Sequence, residues 1–233
     1  FDAEKIGQTQ LEDGYRYSTG IRNAVALEFN PFDGHVYAVQ HGRDMLTGLF
    51  PDMYTTEESV ELPAEEMFRL SDGANFGWPY CYYDGKQNIR LTAPEYGGDK
   101  ESSERCEGTV APVATFAAHM APNDLLFYSG DQFPEAYKGA ALIAFHGSWN
   151  RAPLGQKGYK VSMLPFQNGS PNGEHQDFAD GFAGIEEIEA PSDAKYRPTG
   201  LAMAPDGTVI ISDSVTGKIW RVFYQEDNTM AMN

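Results

Sequence analysis

A β-rich unit occurs twice in this chain, at residues 22–43 and at residues 197–222. Each copy begins with an arginine, continues as an apolar strand, turns at an Asp-Gly pair and returns as a second strand with alternating apolar residues. Short strands joined by tight Asp-Gly turns, repeated along a chain, are typical of β-propeller blades. The repeat therefore predicts an all-β fold, a β-propeller, in which functional side chains lie at the ends of the inner strands.

The chain has 233 residues and is acidic, with 34 Asp and Glu residues against 17 Lys and Arg residues and a formal net charge of −17. A nucleic-acid partner needs a basic face that replaces counterions on phosphates, so this balance argues against nucleic acid and against an anionic membrane surface. Apolar residues make up 41% of the chain, which is typical of a globular domain. No apolar run reaches the roughly 20 residues of a membrane-spanning helix.

The spacing of strands and turns predicts a single partial propeller domain. We expect four successive strands between residues 111 and 169, a polar loop at 170–196, a short helix near Thr56 and an unpaired tail at 226–233. Closed propellers have about 4–8 blades, so we expect further blades, upstream in the polypeptide or from a second chain, to complete the ring. The predicted blades lie at about residues 15–79, 110–170 and 197–225.

Two cysteines, Cys81 and Cys106, flank a polar loop rich in Gly and Glu. We interpret them as a disulfide that closes this loop, which would indicate an oxidising compartment. The alternative is two unrelated buried thiols. The chain has no CxxC or CxxCH motif, which argues against a zinc ribbon and a covalently attached haem.

Three arginines stand among polar residues at the predicted strand ends: Arg22, Arg151 and Arg197. If they point into one axial funnel, they form an anion site, because the guanidinium group binds carboxylates through two parallel hydrogen bonds and keeps its charge. The alternative is that each arginine supports a turn or pairs with a nearby acid.

Three histidines, His41, His119 and His146, occupy similar strand ends. Each is a candidate base, ligand or stacking group, and the alternative is a structural role beside a turn. Three carboxylates, Glu65, Glu66 and Asp84, bracket the Gly-rich turn at 73–79. Hard oxygen donors of this kind suit calcium, and the alternative is an acidic surface patch.

Several motifs together resemble one enzyme family. They are HGRDML at 41–46, ELPAEEMFRL at 61–70, NFGWPYCYYDG at 75–85, residues 119–161 and RPTGLAMAPDGTVIISD at 197–213. This set resembles the sorbosone-dehydrogenase-like branch of the soluble pyrroloquinoline quinone (PQQ)-dependent sugar dehydrogenases, which are six-bladed β-propellers. The likeness covers nearly all of residues 15–224, with this chain as about the C-terminal half of the propeller.

The resemblance implies that PQQ, a tricarboxylate with an ortho-quinone, binds in the axial funnel with calcium. By this resemblance the cofactor-binding side chains are Arg22, Asn23, His119, Asn150, Arg151 and Arg197. The backbone carbonyls of Gly42 and Arg43 correspond to ligands of the cofactor's calcium. Glu66, the Phe76 carbonyl and Asp84 correspond to a second, structural calcium site. Asn150 stands where the glucose enzymes have a lysine.

The implied reaction is oxidation of an aldose or sorbosone-like sugar by hydride transfer to the quinone, with electrons passing to a cytochrome or another acceptor. The catalytic histidine of the family belongs to blades upstream of Phe1, so we expect the 233 residues alone to be inactive; His41 is the candidate base within the chain. The implied location is periplasmic or secreted. A calcium-dependent lactonase-like hydrolase and a non-catalytic binding propeller are the alternatives.

Overall fold

The computed structural model describes residues 2–226. Two short α-helices, α1 (Leu46–Leu49) and α2 (Thr56–Glu61), are present in these residues. Single 3₁₀ turns lie at Pro94–Tyr96, Glu104–Cys106, Glu135–Tyr137 and Pro191–Asp193. Within the described residues, the seventeen strands are β1 (Ser18–Thr19), β2 (Ala24–Asn30), β3 (His35–Gln40), β4 (Glu65–Arg69), β5 (Ala74–Asn75), β6 (Cys81–Asp84), β7 (Ile89–Thr92), β8 (Ala114–Phe116), β9 (Pro122–Phe127), β10 (Ala141–Phe145), β11 (Lys160–Leu164), β12 (Phe166–Gln167), β13 (Ser170–Pro171), β14 (Gln176–Ala179), β15 (Pro198–Met203), β16 (Val209–Asp213) and β17 (Ile219–Val222).

Three antiparallel sheets carry the fold. Sheet 1 has the strand order β2-β3-β4-β8, sheet 2 has β9-β10-β11-β14, and sheet 3 has β15-β16-β17. The first strands of the three sheets, β2, β9 and β15, lie side by side, and each sheet extends outward from them. Gly34 and Gly207 have φ angles of 75° and 82° in the turns that join the first two strands of sheets 1 and 3. The Asp-Gly pairs therefore act as the sequence predicts.

The sheets stack face to face through apolar side chains. Along β10, Ala141, Ile143 and Phe145 pack against sheet 1, whereas Leu142 and Ala144 pack against sheet 3. Because successive side chains of a strand point to opposite faces, a strand between two packed sheets must be apolar throughout, and all five residues of β10 are buried. The stacking of sheets 1, 2 and 3 in chain order follows from this pattern.

One face of β2 is uncovered. Ala26 points into the core between sheets 1 and 2, but Val25, Leu27 and Phe29 point the other way and are 47%, 59% and 52% exposed. A row of three large apolar residues on one strand face is the kind of surface that another sheet covers. Among residues 2–226, no helix combines the length and the apolar character needed to cross a membrane.

Two strand assignments from the sequence are wrong. The segment at 111–117 contains β8, which pairs with β4 and completes sheet 1 instead of opening sheet 2. The fourth strand of sheet 2 is β14, which lies inside the predicted polar loop at 170–196. The short helix near Thr56 is confirmed as α2, and the strand expected at 15–19 is reduced to β1. Most of the predicted tail, residues 227–233, lies outside the described residues.

Cys81 and Cys106 form a disulfide, as the sequence predicts. The segment between them is more ordered than a polar loop, because it contains the hairpin of β6 and β7. The cysteine side chains are 2% and 7% exposed, so the bond ties this hairpin to the turn at Glu104–Cys106 inside the protein.

Removal of the disulfide is expected to lower the free energy of unfolding by about 3 kcal/mol, because the bond closes a loop whose ends are 25 residues apart. The measurement is urea denaturation of the intact protein with and without reductant. The double variant Cys81→Ala/Cys106→Ala is the control, since reductant should not change its midpoint. An unchanged midpoint in the reduced wild type would contradict the prediction.

Candidate functional site

The three sheets end in the same backbone pairing at one end of their inner strands. In each sheet, the N–H of the residue after the second strand donates to a carbonyl at or before the start of the first strand. These pairs are His41 to Asn23 (3.0 Å), His146 to Ala121 (2.8 Å) and Ser214 to Arg197 (3.3 Å). The repeated unit thus brings polar residues of all three sheets to one end of the stack.

A cavity of about 240 Å³ opens at this end, between sheets 1 and 2. Nine of the ten lining residues come from segments that the sequence marks as polar strand ends. The lining residues are Arg22, Asn23, His41, Gly42, Asp44, Glu65, His119, Ala121, Trp149 and Asn150. Four of the six cofactor-binding residues expected from the resemblance are therefore brought together.

Arg22 contributes a fixed cation to the cavity. Its NH1 donates to the carbonyl oxygens of Gly42 (2.7 Å) and His41 (3.4 Å), and its NH2 lies 3.6 Å from Oδ2 of Asp44. The guanidinium also lies 5.7 Å from the ring centroid of Trp78. The side chain is 28% exposed, so it remains accessible to a ligand.

His119 contributes a second cation. Its Nε2 donates to the carbonyl oxygen of Ser59 (3.0 Å), which leaves Nδ1, 3.2 Å from Oδ1 of Asp44, to carry the other proton. Burial by itself would lower the pKa of His119, but the hydrogen bonds with Asp44 and Ser59 and the charge of Asp44 outweigh it and raise the pKa. His119 is therefore an imidazolium over a wider pH range than a free histidine.

Asn150 and Asp44 complete the polar wall. Nδ2 of Asn150 donates to Oδ1 of Asp44 (2.6 Å), whereas Oδ1 of Asn150 is buried and has no hydrogen-bond partner among the described residues. Burial acts to raise the pKa of Asp44, but the hydrogen bonds from His119 and Asn150 and the charges of His119 and Arg22 hold it below its usual value. Asp44 is therefore a carboxylate at neutral pH.

Glu65 lies beneath the cavity and links sheets 1 and 2. Its Oε2 accepts from the N–H of Gly42 (2.6 Å) and its Oε1 from the N–H of Ala121 (3.1 Å). The side chain is 1% exposed, and this burial raises its pKa to about 7 against the opposing effect of the two N–H groups. The carboxyl group fixes the backbone turn that carries His119, whose φ is 64°.

Glu65 is expected to make stability fall as the pH rises from about 4.5 to about 7. In this window the folded protein retains the Glu65 proton and the unfolded chain releases it, so the free energy of unfolding drops by about 3 kcal/mol. Urea denaturation at several pH values measures the effect. In Glu65→Gln this part of the slope should be missing, and equal slopes in the two proteins would contradict the prediction.

Arg197 and His146 stand at the equivalent end of sheets 3 and 2. Nε and NH2 of Arg197 donate to the carbonyl oxygens of His146 (3.0 Å) and Gly147 (2.5 Å). Burial and the nearby charge of Arg197 lower the pKa of His146 to about 4, so it is neutral at pH 7. Arg197 does not line the cavity of Arg22.

Arg151 corrects the expectation that three guanidinium groups face one cavity. Its side chain is 1% exposed, NH1 donates to the carbonyl oxygens of Val60 (2.5 Å) and Ala118 (3.0 Å), and NH2 pairs with Glu61. Its Nε donates to the carbonyl oxygen of Gly155 (3.2 Å). With every nitrogen engaged inside the protein, Arg151 supports the turns around α2 and does not reach the cavity.

Gly42 and Arg43 are the residues expected to ligate the cofactor's calcium through their carbonyls. Gly42 lines the cavity, and Arg43, the next residue, lies beside it. The carbonyl oxygen of Gly42 accepts from Arg22 in this structure. The Arg43 side chain turns away from the cavity and pairs with Glu95 at 2.6 Å. The calcium role of these carbonyls stays a prediction.

The residues expected at the second calcium site have other partners. Glu66 accepts from NH2 of Arg90 (2.6 Å) and Nε2 of Gln40 (2.8 Å). The Asp84 carboxylate caps the β6–β7 turn through the N–H groups of residues 86 and 87, and Phe76 is fully buried. Within residues 2–226, no group of three or more His, Cys, Asp and Glu side chains is placed to hold a metal ion. This site stays a prediction, and an ion there would have to displace the present partners of both carboxylates.

Two functional side chains have roles that the sequence did not indicate. Asp44 lies in the polar cluster after β3, where no pattern of residues distinguishes it from its neighbours. Glu65 and Glu66 are both candidate metal ligands in the sequence, but successive strand residues point to opposite faces, and only Glu65 points to the cavity. The alternation is the signal that could have separated them.

Comparison with known proteins agrees with this architecture. An AA12 carbohydrate-active enzyme of Trichoderma reesei superposes with a TM-score of 0.63 at 22% identity, covering 87% of this chain and 52% of the other. A PQQ-dependent pyranose dehydrogenase of Coprinopsis cinerea is 26% identical over 256 residues, covering 94% of this chain and 33% of the relative. An uncharacterised protein of Borreliella burgdorferi is 28% identical over 210 residues, covering 89% of this chain and 48% of the relative.

The three stacked antiparallel sheets define the chain as an all-β protein of the β-propeller type. The profile of the TrAA12-like family matches residues 1–225, and the chain belongs to this family. The chain spans 48% and 33% of the lengths of the two curated relatives described above.

Proposed function

We propose that the intact protein is a PQQ- and calcium-dependent dehydrogenase that oxidises a sugar. The observation that carries this proposal is the cavity in which Arg22 and His119, whose pKa is raised, face the same space. A fixed cation and an imidazole that readily takes a proton suit a ligand with several carboxylates. The family and the named pyranose dehydrogenase relative supply the identity of that ligand.

The residues of the cavity fit this cofactor. Arg22 and His119 would bind its carboxylates, Asn23 and Asn150 would donate to its oxygens, and Arg197 would reach it from sheet 3. The carbonyls of Gly42 and Arg43 would hold calcium once Arg22 turns to the ligand. When bound, the quinone supplies a two-electron acceptor for the hydride of a sugar C–H bond. His41, with a pKa lowered by burial, is neutral and available beside the cavity, and we assign the main base to a segment outside this chain.

We further propose that the three sheets are three blades of a six-bladed propeller and form about its C-terminal half. The first blade includes β8, and the third blade starts near residue 197. All three blades belong to one partial domain of residues 1–233. The bare face of β2, with its exposed Val25, Leu27 and Phe29, supports a preceding blade from the same polypeptide or from a second chain.

The finer assignments rest on the resemblance. We propose an aldose or sorbosone-like substrate, a cytochrome or another electron acceptor, and no nucleic-acid partner, in line with the net charge of −17. The Cys81–Cys106 disulfide supports a periplasmic or secreted location.

The test is a titration of the intact protein with PQQ in the presence and absence of calcium, followed by visible absorption. A bound-quinone spectrum and dye reduction that depends on an aldose are the expected results. Lactone hydrolysis without PQQ would replace the proposal with a lactonase-like hydrolase. Binding of PQQ without turnover of any sugar in a panel, or no binding at all, would also overturn it.

A further inference from the structure

The Asp44 carboxylate already occupies the anion-binding groups of the cavity. Its Oδ1 accepts from Nδ2 of Asn150 (2.6 Å) and lies 3.2 Å from Nδ1 of His119. Its Oδ2 lies 3.6 Å from NH2 of Arg22. These three partners are the side chains that would bind the carboxylates of the ligand. One carboxylate of the chain therefore has the contacts that an anionic ligand needs.

Asp44 is held differently from the other acid of the cavity. Glu65 is 1% exposed and accepts from two backbone N–H groups, which makes it part of the framework. The Asp44 side chain is 31% exposed, and within residues 2–226 each hydrogen bond or ion pair of its carboxylate is with a side chain. Rotation about its side-chain bonds can break these contacts without any change in a strand.

The charges explain why such a group is useful. Without Asp44 or a bound anion, the partly buried Arg22 would lose its carboxylate partner, and His119 would lose the hydrogen bond and the charge that raise its pKa. The Asp44 carboxylate pairs with both groups while no ligand is present. An incoming anion and Asp44 then compete for the same donors, because two carboxylates cannot share them without repulsion.

We propose that Asp44 is an internal counter-ion of this cavity and that an anionic ligand binds by displacing it from Arg22, His119 and Asn150. The inference rests on the proposed function only for the identity of the ligand. A ligand with one carboxylate replaces the contacts of Asp44 with equal ones and gains little. A ligand with several carboxylates makes further contacts, so the counter-ion selects polyanions over simple carboxylates.

The test measures ligand affinity in the intact protein by titration calorimetry. Two probes are used, PQQ and the redox-inert tricarboxylate trimesate, with wild type, Asp44→Asn, Arg22→Gln and the double variant. Asp52→Asn, which removes an exposed acid between α1 and α2, is the matched control for net charge. Circular dichroism checks that each variant is folded.

Displacement predicts that Asp44→Asn binds both probes at least tenfold more tightly than wild type, whereas Asp52→Asn does not. In the Arg22→Gln background the gain should shrink, because Arg22, the permanently charged one of the three contested donors, is gone. The proposal is overturned if Asp44→Asn binds trimesate as weakly as wild type or more weakly, or if the full gain persists without Arg22. Tighter trimesate binding by Asp44→Asn with no PQQ binding by any form would support the counter-ion and reject the proposed function.

Discussion

Replacement of Arg151 with methionine is expected to lower the free energy of unfolding by about 3–5 kcal/mol. Arg151 is 1% exposed, and its guanidinium satisfies the carbonyl oxygens of Val60 and Ala118 as well as the carboxylate of Glu61. Methionine fills much of the volume but donates no hydrogen bond, so the two buried carbonyls lose this donor and the partly buried Glu61 carboxylate keeps only Lys157, 3.6 Å away, as an ion-pair partner. Urea denaturation of the intact protein gives the difference.

Arg221→Met is the matched control for Arg151→Met. Arg221 also pairs with a single acid, Asp206, but its side chain is 59% exposed, and surface pairs of this kind contribute at most about 1 kcal/mol. A second variant, Arg151→Met/Glu61→Leu, removes both charges and should recover part of the loss. If Arg151→Met and Arg221→Met cost the same, the structural role assigned to Arg151 is wrong.

Replacement of Arg22 with glutamine is expected to weaken PQQ binding by about 10- to 100-fold. Arg22 is the cavity cation with the greatest reach to solvent, and a hydrogen bond to a charged partner contributes about 1.5–3 kcal/mol. Glutamine keeps a donor but loses the charge and the paired N–H groups. A fluorescence or absorption titration with PQQ in the presence of calcium measures the change.

Arg69→Gln controls for the loss of one positive charge from the same sheet. Arg69 is exposed and lies at the end of β4 that is far from the cavity. The strand register shows this position, since Arg69 pairs with Tyr37 whereas Glu66, near the cavity, pairs with Gln40. Its substitution should leave PQQ affinity within about twofold of wild type, in line with screening of distant surface charges. Equal affinities of Arg22→Gln and wild type would show that the cofactor binds elsewhere.

Local patterns were enough to predict the inner part of the fold. The Asp-Gly turns and the alternating residues define β2, β3, β15 and β16, and the ends of these strands locate Arg22, His41 and Arg197. This works because a tight turn fixes which strands are neighbours and therefore which residues share an end. The same logic brought His119 to the correct end of sheet 2.

Contacts between distant segments could not be predicted in this way. β8 pairs with β4 across the disulfide-closed hairpin, and nothing in its short apolar stretch names that partner. Arg151 lies next to Asn150 in sequence, yet Asn150 faces the cavity and Arg151 pairs with Glu61, 90 residues earlier. The partner of a long side chain depends on tertiary packing, which a local pattern does not contain.

The same main-chain hydrogen bond recurs at residues 41, 146 and 214, at one end of each of the three sheets. The hydrogen bond within each sheet uses only main-chain atoms. The side chains at these three places, two imidazoles and one hydroxyl, bond between sheets instead, His41 with the carbonyl oxygen of Pro122 (3.0 Å) and His146 with Oγ of Ser214 (2.7 Å). Exchange among these side chains therefore leaves the pairing within each sheet unchanged and alters the contacts by which neighbouring sheets are joined.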